Sequence, residues 1–242
     1  MDGSVSSLHA SLDALSRFVV GEESLEATLQ RVIALAQSAI KGADMVGITM
    51  LDERGRLATT VFTDGEAPDI DQAQYRSGAG PCVEAFRTGE VIRIDSTDTD
   101  IRWPLFATSA TDHGIHSILS LPLVARGSTI GALNVYSRAY AAFDKGVQEI
   151  GQLFADQAAV PLANAHRYWE TFNLSANLAE AMKSRAVIEQ AKGVIAGQLK
   201  IDPEDAFTLM RNASQVRNRK LRDIAREVVA NLAFEANDDK QR

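Results

Sequence analysis

Apolar residues recur along this chain with two periods, and each change of period marks a new element. Over residues 6–20 and 24–40 they return every three or four positions, which predicts two amphipathic helices. In the second, Leu25, Leu29, Val32, Ile33, Leu35, Ala36 and Ile40 form a broad face. The period then drops to that of strands at 45–51 and 57–62, joined by the turn Asp52-Glu53-Arg54-Gly55. Gly78-Ala79-Gly80-Pro81 opens a short helix over 82–88, followed by a brief strand at 91–94 and a loop at 95–103. Two strong strands, 117–124 and 129–136, flank a turn at 125–128. A long helix starts near Asp144 and meets no clear stop before about Leu199; Pro161 removes one of its hydrogen bonds and is a place for a kink. Tight turns between adjacent strands argue for an antiparallel sheet with helices packed on it, an α+β layer.

The last part of the chain reads as an all-α bundle of three helices. The end of the long helix presents Val187, Ile188, Ala191, Val194 and Ile195 at helical spacing. Arg185 and Lys192, one heptad apart, lie nearly in line on its flank. Gly193 and Gly197 each cost about 1 kcal/mol of helix propensity and suggest close backbone approach or fraying. A second helix is started by Asp202 as cap, Pro203 in the first position, and Glu204 and Asp205 at the positive helix end. Its apolar residues are Ala206, Phe207, Leu209, Met210 and Ala213. The third is expected to be capped by Asn218, with Leu221, Ile224, Ala225, Val228 and Leu232 buried and Arg219, Arg222 and Arg226 opposite.

Upstream of that bundle, Leu174, Leu178, Ala181, Ile188, Ile195 and Leu199 fall on heptad spacing, interrupted by Arg185 and Lys192. A helix this long with an unpartnered stripe would expose it, so the seam over 172–199 is expected to pair two chains as a short coiled coil. No Pro/Gly/Ser-rich linker interrupts the connection, so it is expected to be rigid, able to pass movement along the helix.

Charge separates the two parts. Residues 183–230 carry ten Lys/Arg against six Asp/Glu, a balance of +4 on a chain of net −7. A basic module on an acidic chain fits an anionic partner such as nucleic acid. Cations at the seam, and free N–H groups at the start of the third helix, make Arg185, Lys192, Asn218 and Lys220 the candidate contacts. No apolar run approaches the roughly 20 residues that span a membrane, and the N-terminus lacks signal-peptide features. The single cysteine excludes an intramolecular disulfide and suits a reducing cytoplasm.

Two resemblances cover nearly the whole chain. Arg185, Ile188, Ala191-Lys192-Gly193, Ala206-Phe207, Leu209, Arg211, Ala213, Ser214, Asn218, Leu221, Ile224 and Ala225 resemble the ANTAR domain, a helical RNA-binding module of bacterial transcription antiterminators. Gly80-Pro81-Cys82 with Ala85, Arg102-Trp103-Pro104, Gly114-Ile115, Ser120-Leu121-Pro122-Leu123, Ile130-Gly131-Ala132-Leu133-Asn134 and Ala142-Phe143-Asp144 together resemble a GAF domain. The resemblance implies a GAF-like sensor over 8–168, a coiled-coil helix and ANTAR-like domain over 169–234, and a polar tail over 235–242. It implies a homodimer that binds hairpin loops of nascent RNA, with Gly193 and Arg211 joining the four contacts above, and a small ligand or partner for the sensor.

Catalytic chemistry is sparse. Cys82 is a candidate redox thiol, but a lone cysteine is more often a buried packing residue. GAF enzymes that reduce methionine sulfoxide use several cysteines, so one argues against that activity. His113 and His116 have metal-compatible spacing without a nearby third ligand. The chain has no Gly-rich phosphate loop with Lys, no kinase signature, no catalytic triad, and no counterpart of the signature of cyclic-nucleotide-binding GAF domains. No enzyme activity, cofactor or metal is therefore expected, and the sensor's ligand cannot be read. Two other readings stay open: a helix-turn-helix reading duplex DNA through Arg219, Arg222 and Arg226, and a redox sensor at Cys82.

Overall fold

The computed structural model describes residues 2–52, 55–65 and 67–238. Glu53 and Arg54 of the expected turn, the side chain of Leu232, and the expected polar tail beyond Asp238 lie outside them. The chain divides into two compact units, Met1–Glu170 and Thr171–Arg242.

In the first unit, helices α1 (Asp2–Ser16) and α2 (Leu25–Ala39) precede strands β1 (Met45–Leu51) and β2 (Leu57–Phe62). Ser24 caps α2 by accepting from the Ala27 N–H at 3.1 Å. Helices α3 (Ala67–Ser77) and α4 (Pro81–Thr88), strand β3 (Ile92–Ile94) and helix α5 (Pro104–Asp112) follow. The hairpin of β4 (Ser117–Ala125) and β5 (Ser128–Ser137) leads into α6 (Lys145–Leu199). Between β4 and β5 only Arg126 and Gly127 are unpaired, both at positive φ (54° and 79°), which matches the twist a two-residue hairpin turn needs.

The five strands form one antiparallel sheet in the order β2-β1-β5-β4-β3. Alternation along the strands separates two faces. One carries Val46, Ile48, Leu119, Leu121, Leu133 and Val135 into the main core, where α1 adds Leu8 and Leu15, α2 adds Leu29, Val32 and Ile33, and the first part of α6 adds Phe154 and Leu162. The other meets α3 and α5 in a smaller cluster of Met45, Ile70, Ile94, Phe106, Ile115, Ile118 and Tyr136. Both faces are thus covered, and a polar side chain on the second must find its partners inside the protein.

α6 is a helix of 55 residues that runs through Pro161 and leads to the C-terminal helices. In the second unit its end packs with α7 (Pro203–Val216) and α8 (Leu221–Asp238) around Ala191, Met210, Ile224 and Ala225. Asp202 caps α7 as expected, accepting from the Glu204 N–H at 2.8 Å. Leu209 is 47% exposed. One expectation is corrected. Asn218 does not cap α8. It sits at φ 48° just past α7, where the Arg219 N–H donates to Ser214 O (3.0 Å) and the Asn218 N–H to Gln215 O (3.2 Å). This pairing closes a helix C-terminus, and asparagine tolerates the left-handed position. Lys220 instead opens α8, its carbonyl accepting from the Asp223 and Ile224 N–H groups.

Candidate sensor site and nucleic-acid interface

In the first unit, a connected polar cluster lies between the second face of the sheet and helices α3 and α4, with Thr59 and Tyr75 half-buried and its other members buried. Asp71 is fully buried and accepts from Tyr136 Oη (2.6 Å), Thr59 Oγ1 (2.7 Å) and Gln74 Nε2 (2.7 Å). Thr59 and Tyr75 hydroxyls are 2.8 Å apart, Tyr75 and Thr49 2.7 Å, and Asn134 Nδ2 donates to Thr49 Oγ1 at 3.0 Å. A hydroxyl has one proton to give. Thr59 uses its own on Asp71, and the Tyr75 hydroxyl also lies 3.4 Å from Asp71 Oδ2, so its single proton is shared between Thr59 and Asp71 while Thr49 donates to Tyr75. The result is a directed relay from Asn134 to the Asp71 carboxylate, each bond polarising the next. At its far end Asn134 Oδ1 and the neighbouring Ser120 Oγ, opposite each other across β4 and β5, are buried without a partner.

Burial pushes the Asp71 carboxyl above its ordinary range, opposed by the hydrogen bonds from Tyr136, Thr59, Gln74 and Tyr75. The Tyr136 and Tyr75 phenols are likewise raised, first by burial and then by the Asp71 charge. Gln74 ties the cluster to α4: its Oε1 accepts from the Cys82 N–H (2.9 Å) and the Val83 N–H (3.4 Å) at the helix N-terminus. Gly80 leaves room for this, since a Cβ there would lie 2.3 Å from Gln74 Cβ. Beside the turn between α3 and α4, a cavity of about 100 Å³ is lined by Ser77, Ala79, Arg102, Trp103, Pro104, Leu105 and Phe106. The Arg102 guanidinium lies 4.5 Å over the Trp103 ring there.

Cys82 is fully buried, and its thiol is pushed up to about 12, first by burial and then by Asp71. Very little thiolate exists near neutral pH, which counts against a redox sensor at this position. His113 and His116 engage different partners: His113 Nδ1 lies 2.8 Å from Ser109 O, while His116 stacks on Tyr140 at 4.3 Å.

The second unit sorts its cations into two groups. Arg222 and Arg226 share Glu180 of α6 (3.2 and 3.5 Å), Arg226 also meets Asp223, and Arg217 and Arg219 share Glu227. The arginines of α8 are thus engaged by carboxylates of the same unit, which disfavours α8 as a DNA-reading helix. Lys192 lies between Glu204 (3.1 Å) and Glu189 (3.3 Å), and the bond to Glu204, then that to Glu189, raises its ammonium. By contrast Arg185, Arg211 and Lys220 are exposed and form no ion pair among the described residues. Gly193 is exposed, with nothing within 4 Å of a built Cβ. Along the seam, Leu174, Leu178 and Ala181 are exposed, whereas Ile188 and Ile195 pack on the bundle core.

The buried relay is absent from the expectations drawn from sequence. Its signal there was Thr49, Ser120 and Asn134 inside strands otherwise apolar on both faces.

Residues 22–163, more than half of the chain, match the family model for the GAF domain, and residues 176–229 match that for the ANTAR domain. Among solved structures, the chain is similar to the GAF domain of a phosphoenolpyruvate-protein phosphotransferase from Coxiella burnetii. That match has 16% identity and a TM-score of 0.53, covering 69% of this chain and 97% of that one. It is also similar to free methionine-R-sulfoxide reductase from Neisseria meningitidis in complex with its substrate. Here identity is 19% and the TM-score 0.53, over 68% of this chain and 91% of that one. At such identities the likeness shows the fold.

Proposed function

This chain belongs to the GAF domain family and carries an ANTAR domain behind the GAF domain, the make-up of a signal-responsive antitermination regulator, and from that premise we propose that it binds hairpin loops in nascent RNA under control of a small ligand. The observation that carries the RNA reading is the pair Arg185 and Arg211, exposed cations without carboxylate partners among the described residues, inside the ANTAR match. Lys220 adds a third, beside the α8 N-terminus and Asn218. We place the ligand at the relay of Asp71, Thr49 and Asn134, because a buried polar network that ends on Asn134 Oδ1, beside Ser120 Oγ, with neither atom partnered among the described residues, costs stability without adding apolar packing. The high thiol of Cys82 supports sensing without turnover. No helix among the described residues is long and apolar enough to cross a membrane, and RNA binding to nascent transcripts implies a cytoplasmic site of action.

The test is selection from hairpins of fixed stem and randomised loop by the full chain. A recurrent loop sequence is expected, with the matching duplex DNA bound more weakly. Arg185→Ala and Arg211→Ala should each reduce the salt slope of binding by roughly 0.7–0.9, the step expected when one phosphate is no longer neutralised. Gly193→Ala should cost no stability, because the site is open, so any loss of affinity there reports close approach of RNA. Enrichment without loop preference, or preference for duplex DNA, would overturn the reading.

The second part of the proposal is a homodimer through α6. Leu174 and Leu178 are 70% and 61% exposed on one stripe with Met182, and burial against a second copy would remove that apolar surface from water. Ile188 and Ile195 serve the bundle core, so Leu178→Glu perturbs the seam with the least effect on the monomer. Light scattering at micromolar concentration is expected to give twice the chain mass of 26.2 kDa for the unmodified protein, and the monomer mass for Leu178→Glu. A monomeric unmodified protein would refute the dimer.

A further inference from the structure

The Lys192 bridge has a sign that sets it apart from the neighbouring cations. One ammonium, its side chain only 16% exposed, faces two carboxylates whose side chains are 56% and 79% exposed, those of Glu189 and Glu204. The local balance is therefore negative. Arg185 lies one heptad from Lys192 along α6, and Arg211 one heptad from Glu204 along α7. At 1.5 Å per residue each is about 10 Å from the bridge, on the same stripe of its own helix. Asp202 and Asp205 add negative charge at the α7 N-terminus beside Glu204. Each of the two helices thus carries an arginine without an ion pair among the described residues about 10 Å from a bridge of net negative charge.

We propose that Glu204, assisted by Glu189, is a specificity residue of the RNA-binding face: it engages Lys192 and repels RNA backbone that approaches the bridge rather than Arg185 and Arg211. A free lysine at this point would bind any backbone equally, raising affinity without discrimination, because phosphate contacts carry no sequence information. Carboxylates beside the contact surface penalise misaligned backbones and so widen the gap between right and wrong partners. The Lys192–Glu204 bridge joins α6 to α7 at 3.1 Å.

This inference rests on the RNA reading above, and its test separates the two. Affinity and salt slope are measured for the full chain with a loop-selected hairpin and with the same stem carrying a scrambled loop. The proteins are the unmodified chain, Glu204→Gln, Glu189→Gln, Lys192→Ala and the double variant Glu204→Gln with Lys192→Ala. If the unmodified protein prefers neither hairpin, the RNA reading fails. If it does discriminate, Glu204→Gln is expected to tighten the scrambled hairpin about three- to tenfold and steepen its salt slope by roughly 0.7, as one more phosphate is met. Glu189→Gln should act in the same direction, and Lys192→Ala should erase the gain in the double variant. Weaker or unchanged binding of the scrambled hairpin by Glu204→Gln, with discrimination intact, would overturn the proposal while leaving RNA binding standing.

Discussion

Asp71→Ala is expected to destabilise the GAF domain by about 3–5 kcal/mol, read as a fall in its thermal midpoint of roughly 10 °C. The substitution leaves the buried Tyr136 hydroxyl and Gln74 amide, and the half-buried Thr59 hydroxyl, without their acceptor. Each orphaned donor costs about 1–3 kcal/mol, offset in part because the raised carboxyl no longer has to be held in the interior. It also detaches Gln74, which closes the N-terminus of α4. A change below about 1 kcal/mol would mean that the relay is structurally idle. Asp71→Asn isolates the charge. A carboxyl raised in the folded state contributes stability that is fully present below its unfolded value, near 3.9, and is lost as pH rises through the folded value. Across that window the unmodified protein should lose stability relative to Asp71→Asn as pH rises. Parallel pH profiles for the two proteins would contradict the assignment.

Gly131→Ala is expected to cost about 3 kcal/mol or more for a different reason. The β1–β5 pair sets Met50 opposite Gly131, and a Cβ at Gly131 would fall 2.3 Å from the Thr49 carbonyl oxygen. Backbone cannot rotate away as a side chain would, so the two central strands must part. Because Thr49 also carries the relay, the variant should disturb the sensor site along with the fold. Calorimetry of the full chain checks this, with the ANTAR bundle expected to keep its own transition. An unshifted GAF transition would show that the strands can separate there at little cost.

Much of the architecture was legible in the chain. Strand periods at 45–51 and 57–62, a hairpin around Arg126-Gly127, a helix without a stop from Asp144 to Leu199, and Asp202-Pro203 opening α7 all have local causes, and the structure bears each out. α3 was not legible, for a specific reason. Periodicity finds helices by their apolar face, yet α3 turns Asp71 and Gln74 inward along with Ala67 and Ile70. A helix that buries polar groups against polar strand positions reads as loop until the facing strands are known. Asn218 was misplaced because a good cap residue is also a good left-handed residue, and only the hydrogen bonds to Ser214 and Gln215 distinguish the end of α7 from the start of α8.

By itself the sequence determined the order of the elements other than α3 and α5, the α+β and all-α division and the basic C-terminal module, because periodicity, turn chemistry and net charge are properties of neighbouring residues. Only the tertiary structure decided which cations are free and which polar groups are buried. Glu180 reaches Arg222 and Arg226 across more than forty positions, and Asn134 reaches Thr49 across 85. It also decided that Ile188 and Ile195 serve the bundle while Leu174 and Leu178 remain open. A heptad pattern places apolar residues on one stripe, but whether each is covered from within the chain depends on which helix folds back against it.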